Sequence, residues 1–268
     1  MGAIYKVRHR LLDEIRVIKV MRPHTVADAD LKRRFIEEAK TATRLKHPNL
    51  CTIHDFAVED NGTGYLVMEF IDGVPVGDLL KQGDLPNFTL TLEIAHQALQ
   101  ALSYLHKKSI VHRDIAPDNL MLLYEEDKPK IKLIDLGIAK AMDKPADQSK
   151  TVAGTFLGKL GYASPELFGA LPEGELLDGR SDLYSLGIVM YELLTGRRPV
   201  SSDQGPAGWM RAHLLEPPLP FEKSDPGHKV PDDVRELVMR ALTKRREDRY
   251  ATADDFDAEI IKVARRYL

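Results

Sequence analysis

The sequence predicts an α+β fold in two unequal parts, a small antiparallel β-sheet lobe with one main helix over residues 1–71 and a larger, mostly helical lobe over residues 72–268. Three observations carry that prediction. Before residue 71, short β-rich runs surround a single helical stretch. After it, long stretches repeat apolar residues at three- and four-residue spacing. Between the two, Asp72-Gly73-Val74-Pro75 interrupts both patterns.

In the first part, Ile4–His9 and Glu14–Val20 are short β-rich runs joined by a polar connection. Asp28–Lys46 is helical, since Leu31, Phe35, Ile36, Ala39 and Ala42 keep one face apolar, and Asp28 or Asp30 offers a cap. His47-Pro48-Asn49 stops it. Cys51–Val58 and Tyr65–Phe70 are two more strands, with Asp60-Asn61-Gly62 as their hairpin turn. In the second part, Leu90–Lys107, Arg180–Thr195, Pro231–Leu242 and Thr252–Leu268 are helices. Leu120–Leu123 and Lys130–Ile134 are short strands, followed by an irregular segment from Asp135 to Glu166. Irregular segments of more than about 15 residues inside a compact domain are usually functional or disordered.

Composition excludes several classes. The formal net charge is −3, which supplies no electrostatic pull toward nucleic acid or a membrane surface. Lys32-Arg33-Arg34 and Lys244-Arg245-Arg246 read as solvated helix faces. The single cysteine, Cys51, allows no internal disulfide and reads as a plain buried thiol, which suits a reducing compartment. No stretch reaches the ~20 apolar residues that span a bilayer, and the N-terminus has no apolar signal region. The expected location is cytoplasmic, with no membrane contact from this segment.

Several segments carry chemistry, and their order matters as much as their content. Val17-Ile18-Lys19-Val20 places a lysine on a strand, and Glu37-Glu38-Ala39 places carboxylates on the following helix. His112-Arg113-Asp114 is followed at Asn119 by an amide, then by a strand and Asp135-Leu136-Gly137. Further on come Ala163-Ser164-Pro165-Glu166, the helix start Arg180-Ser181-Asp182, and Arg249. Lys19 or Glu38 alone would read as an ordinary surface residue. Together, these segments resemble the eukaryotic-type protein kinase catalytic domain, most closely its bacterial Ser/Thr branch, along the whole chain.

The resemblance implies the bilobal protein-kinase fold, with residues 1–71 as N-lobe and 72–268 as C-lobe. It implies Asp114 as the base that accepts the substrate hydroxyl's proton, and Asn119 and Asp135 as ligands of Mg²⁺, with Mn²⁺ the other metal considered. Lys19 is then expected on the ATP α/β-phosphates and paired with Glu38, for which Glu37 is the competing choice. Met68 corresponds to the gatekeeper, and Glu69-Phe70-Ile71 to the hinge whose backbone meets adenine. Leu122 is taken as the floor under adenine, with Leu123 the alternative. Asp182 is expected to tie the catalytic loop, and Arg249 to pair with Glu166. Arg113 is expected to meet a phosphate on Thr151, Thr155 or Ser149, with Thr151 first.

Three departures from the family pattern stand out. Only the end of the Gly-rich loop is present: Gly2 matches its last glycine and Ile4 the valine after it, which leads to an expectation of weak ATP binding and impaired turnover for this chain. The lysine usual two residues after the catalytic aspartate is Ala116. The threonine usual in Gly-Thr-x-x-Tyr is Lys159, in Gly158-Lys159-Leu160-Gly161-Tyr162. The last two departures suggest that Lys159 supplies the displaced positive charge to the γ-phosphate.

The function so implied is transfer of the γ-phosphate of ATP to Ser/Thr hydroxyls of protein substrates, in bacterial signalling, with activation-segment autophosphorylation. ATP and protein substrates are the expected partners, with a homodimer for trans-autophosphorylation, and no nucleic acid. The alternative is a pseudokinase or regulatory scaffold with weak or no turnover, which the missing glycines favour and the intact Lys19, Glu38, Asp114, Asn119 and Asp135 oppose. A small-molecule phosphotransferase of related fold is a weaker rival, because a long segment ending in Ser-Pro-Glu suits docking of peptide chains.

Overall fold

The computed structural model describes residues 3–21, 29–59, 61–136, 159–172 and 174–267, and within the first helix it describes side chains at Arg33 and from Ile36 onward. Gly2, Gly137, Ser149, Thr151 and Thr155 lie outside the described residues.

Strands β1 (Ala3–Arg8), β2 (Ile15–Met21), β3 (Ile53–Val58) and β4 (Gly64–Glu69) form an antiparallel sheet in the order β1-β2-β4-β3. Helix α1 (Ala29–Thr43) packs on it through Ala39 and Ala42, whose small side chains let the helix sit close to Cys51, Ile53, Leu66 and Met68. The helix stops at Thr43 rather than Lys46. Arg44 and Leu45 donate their N–H groups to carbonyls three residues back, tightening the chain into a turn before Pro48. The β3–β4 turn closes through Gly62 N–H donating to Glu59 O at 2.9 Å, and Gly62 takes φ 86°, which glycine adopts at no steric cost.

The larger core is built around helix α4 (Arg180–Thr195), which is apolar nearly all round and therefore buried nearly all round. The other elements before it are β5 (Val74–Pro75), α2 (Val76–Gln82), α3 (Phe88–His106), β6 (Leu120–Glu125) and β7 (Lys128–Leu133). After it come α5 (Gly205–Leu215), α6 (Phe221–Ser224), α7 (Asp232–Ala241) and α8 (Ala253–Ala264). Strands β5, β6 and β7 form a second small sheet. Helix α3 starts at Phe88 because Asn87 caps it, its side-chain oxygen accepting Leu90 N–H at 2.8 Å. Thr252 and Asp255 form a reciprocal capping box on α8.

Two backbone contacts tie the cores together: Cys51 N–H donates to Leu133 O at 2.9 Å and Leu133 N–H to Asn49 O at 2.8 Å. Asn49, buried, also donates through its side chain to Gln97 and to Ile131 O. Leu136 packs against both clusters, so the junction of the two lies beside Asp135.

Helices α3 and α8 are joined by His96 Nδ1, 2.6 Å from Asp257 Oδ1. The Asp257 hydrogen bond raises the His96 pKa, against opposition from burial. A histidine whose folded pKa lies above its unfolded value contributes stability in full below the unfolded pKa, and that contribution is lost as pH rises through the folded one. The difference in melting temperature between wild type and His96→Gln is therefore expected to shrink as pH rises from the acid side of 6.5 to alkaline pH. The corresponding difference in unfolding free energy is expected to be about 1 kcal/mol for this half-buried pair. A pH-independent difference between the two proteins would refute this.

Candidate active site

The site is assembled from the backbone outward. Asp182, in the first turn of α4 and buried, accepts the N–H groups of His112 and Arg113, each at 2.8 Å, while His106 Nε2 lies 2.8 Å from the same carboxylate. That clamp fixes the chain on either side of the His112–Arg113 peptide, and Arg113 takes φ 63°. Left-handed backbone at a non-glycine residue costs about 1 kcal/mol or more and persists only where neighbours over-determine it. Asp114 follows directly and a 3-10 turn, Pro117–Asn119, returns the chain toward it.

Asn119 is buried and locks Asp114 from below: its Nδ2 donates to Asp114 O at 2.6 Å and to Asp114 Oδ2 at 2.9 Å. Lys159 arrives from a distant part of the chain. Its Nζ donates to Asp114 Oδ2 at 2.6 Å and to Asn119 Oδ1 at 3.0 Å. The Asp114 side chain is 10% exposed and that of Lys159 28%, so the pair sits at the floor of an opening rather than in bulk solvent.

A second ion pair stands beside the first. Lys19 Nζ, from β2, donates to Asp135 Oδ1 at 2.6 Å. Ile134 N–H donates to Asn119 O at 2.9 Å, which sets Asp135 next to the Asp114 group, and Asp135 takes φ 59°. Two carboxylates, one amide oxygen and two ammonium groups therefore gather at the junction of the two cores.

The expected Lys19–Glu38 pair is not formed: among the described residues Lys19 pairs with Asp135 instead. Glu38 is half-buried on the inner face of α1, where burial pushes its pKa up to about 7 and the Arg113 charge opposes the rise. A carboxyl that burial disfavours as an anion is the poorer partner for the Lys19 ammonium. Glu37 is exposed and bonds Lys40 at 3.0 Å, so of the two candidates only Glu38 turns inward.

Met68 is buried in the smaller core and pairs with Val17 and Ile53 across the sheet. Glu69 N–H donates to Thr52 O, and its carboxylate accepts Thr52 N–H at 2.6 Å and Lys132 Nζ at 2.7 Å. Ile71 packs on the edge of the same core, and Ile4 lies opposite Lys19 in the sheet, 64% exposed.

Leu122 does not face this opening. It is 4% exposed inside the larger core, because side chains alternate along β6 and Leu120 and Leu122 share the inward face. The opposite face carries Met121 and Leu123. Met121 lies opposite Lys132, whose ammonium reaches up to Glu69, so it is Met121 that turns toward the smaller lobe.

The protein kinase domain profile matches residues 1–259. The chain belongs to the protein kinase family. Serine/threonine-protein kinase pkn3 of Myxococcus xanthus is 36% identical to it over 262 residues, covering 97% of this chain and 47% of that protein. Serine/threonine-protein kinase PknB of Mycobacterium leprae is 34% identical over 267 residues, covering 98% of this chain and 41% of that protein. The kinase-domain structure of PknI from Mycobacterium tuberculosis superposes with a TM-score of 0.74 at 26% identity, covering 98% of this chain and 91% of that one. The chain thus spans less than half the length of the curated relatives it matches.

Membership implies ATP and a divalent metal ion. The kinase domain has no group of three or more His, Cys, Asp or Glu side chains able to cage a metal among its described residues. What it has is the Asp135 carboxylate and the Asn119 amide oxygen, on segments tied by the Ile134 N–H bond to Asn119 O at 2.9 Å. Two hard oxygen donors fit a small cation that takes its remaining ligands from phosphates and water. Farther out, Glu166 is buried and pairs with Arg249 at 2.8 Å, and Arg249 also donates to three backbone carbonyls, so the end of the segment that carries Lys159 is anchored in the helical core. No described helix is long and apolar enough to cross a membrane.

Proposed function

We propose that the kinase domain transfers the γ-phosphate of ATP to Ser/Thr hydroxyls of proteins. The observation that carries this reading is the locked carboxylate of Asp114, held by Asn119 and Lys159, on a loop whose Asn119 carbonyl accepts the N–H of Ile134, next in the chain to Asp135. A general base must be held in one rotamer, partly open, beside the group it serves, and Asp114 meets those requirements. When bound, Mg²⁺ (or Mn²⁺) on Asp135 and Asn119 draws charge from the phosphates. Lys19 would hold the α/β-phosphates, with Glu38 as its partner when Asp135 is engaged by the metal. Met68, Glu69 and Ile71 line the adenine end with Ile4, and Met121 takes the floor role expected of Leu122.

Lys159 fills the place of the missing catalytic-loop lysine. Ala116 is buried and carries no charge, while the Lys159 ammonium stands on both Asp114 and Asn119. From there it neutralises charge as the phosphoryl group moves. The names of the relatives support Ser/Thr as the acceptor, and none of the comparisons favours a scaffold without turnover. Phosphorylation of Thr151, Thr155 or Ser149 in a transient homodimer, in a cytoplasmic signalling setting, belongs to the same reading.

Labelled ATP with Mg²⁺ and a generic basic protein tests it. Label on phosphoserine or phosphothreonine is the expected result. Label confined to phosphotyrosine, or none above an Asp114→Asn control, would overturn it.

A further inference from the structure

We propose that Arg198, in the loop between α4 and α5, is a positioning residue for the transfer step, holding Lys159 on Asp114 through the backbone of residues 160–162. The inference rests on the reading of Lys159 given above. In most kinases, that resemblance implies, the γ-phosphate charge belongs to the catalytic loop, which the Asp182 clamp already fixes. Here it belongs to a different segment, whose placement must come from elsewhere.

The contacts of Arg198 show where. Its guanidinium lies 4.7 Å from the centre of the Trp209 ring and 5.8 Å from that of Tyr162, wedged between an α5 anchor and the segment itself. Its Nη1 packs so closely on Gly161 that a Cβ there would collide with it. Its Nε is 3.8 Å from Glu192 Oε1, and the other oxygen of Glu192 accepts the Tyr162 hydroxyl at 2.6 Å. Glu192 is pushed toward its neutral form by burial, and the Arg198 charge opposes that push and so helps keep it a strong acceptor for Tyr162.

Just before Gly161, Leu160 is buried with Val200, Trp209 and Ala212. Lys159 precedes Leu160 and opens the 3-10 turn, its carbonyl accepting Tyr162 N–H at 3.0 Å. A planar cation that fills the space beside Gly161 and braces Tyr162 fixes the middle and far end of that turn, while the Leu160 packing fixes its start. Guanidinium suits this task because it stacks on a ring and reaches a carboxylate at once. Misplacing a reacting group by about 1 Å can cost up to 10²-fold in rate, so a brace two residues from Lys159 has leverage over the chemistry.

A double-mutant cycle on the kinase domain tests the proposal, using Arg198→Ala, Lys159→Thr and the two combined. Arg198→Ala is expected to lower kcat about tenfold with the KM values for ATP and peptide little changed. The combined variant is expected to lose no more than Lys159→Thr alone, since a brace with nothing to hold has no further effect. Gly161→Ala, which displaces the guanidinium and leaves Arg198 in place, should reproduce the Arg198→Ala loss if the latter proves too unstable to assay. Phosphorus NMR of bound AMP-PNP supplies a readout that packing alone would not move: the γ-phosphate resonance should shift in the same direction in Arg198→Ala as in Lys159→Thr. Additive losses, or a γ-resonance unmoved by Arg198→Ala, would overturn the positioning role. Full activity in Lys159→Thr would instead overturn the reading of Lys159 on which it rests.

Discussion

Asp114→Asn is expected to lower kcat for phosphate transfer by about 10² to 10⁴-fold, the range a positioned general base supplies. The substitution is nearly isosteric, and an asparagine oxygen can still accept from Lys159 Nζ, now 2.6 Å from Asp114 Oδ2. The amide lacks the capacity to take a proton. The backbone of the loop is held independently, through Asp182 on the His112 and Arg113 N–H groups and through Asn119 Nδ2 on Asp114 O, so the fold should survive. Loss of the Asp114 negative charge weakens its ion pair with Lys159 but leaves Lys159, 28% exposed, in contact with water, so the cost in stability should stay below that of breaking a fully buried pair. On the proposed reading, in which Lys19 and the hinge hold ATP, nucleotide affinity should change little. Steady-state kinetics with a peptide substrate, alongside a melting curve, separate the two effects. A kcat within tenfold of wild type in a folded Asp114→Asn protein would remove Asp114 as base.

How much of this could be read without coordinates depends on the range over which each feature is determined. The strands around Lys19 and the apolar helix from Arg180 were legible because alternation and three-to-four spacing are local. Asp114, Asn119 and Asp135 were legible because the loop that presents them is written contiguously, with a strand at a fixed distance. Helix α5 escaped notice because it opens on Gly205-Pro206, residues that read as a turn, and α2 because it is short and follows Pro75 directly. The family resemblance offers Leu122 for the floor, with Leu123 as the alternative. Strand parity decides that role, and parity is only visible once Leu120 is known to face the core.

The choice of partner for Lys19 was beyond the sequence for a different reason. The family pattern and the fold offer Lys19 two different carboxylates, and burial disfavours Glu38 as an anion, while Asp135 bonds Lys19 at 2.6 Å. Arg198 left no signal at all, since a basic residue in a loop after a helix ordinarily points to solvent. Its role emerges only from the glycine it packs on and the ring it stacks over. Lys159 is the instructive middle case. Two residues far apart in the chain, Ala116 and Lys159, depart from the family pattern in complementary ways, and that complementarity is a statement about space made in sequence.

Lys159→Thr therefore carries the second large expectation: a loss of about 10²-fold in kcat, the usual cost of removing one preorganised donor from a charge that develops in the transition state. The reasoning separates phosphate from base. If Lys159 served only to orient Asp114, its loss would lower kcat and leave nucleotide binding untouched, because Asn119 still donates to the same carboxylate oxygen at 2.9 Å. If its ammonium also meets the γ-phosphate, the variant should bind the ATP analogue AMP-PNP more weakly than wild type does, while ADP, which lacks that phosphate, binds equally to both. Adding Ala116→Lys should then recover most of the loss. The new lysine starts from a buried, extended residue two positions from Asp114 and enters the space that the Lys159 side chain has left. Calorimetric titration of both nucleotides against wild type, Lys159→Thr and the Ala116→Lys/Lys159→Thr pair reads each step without relying on turnover. Equal weakening of ADP and AMP-PNP would place Lys159 away from the γ-phosphate. Failure of the paired variant to regain both binding and rate would show that the charge did not move from one segment to the other.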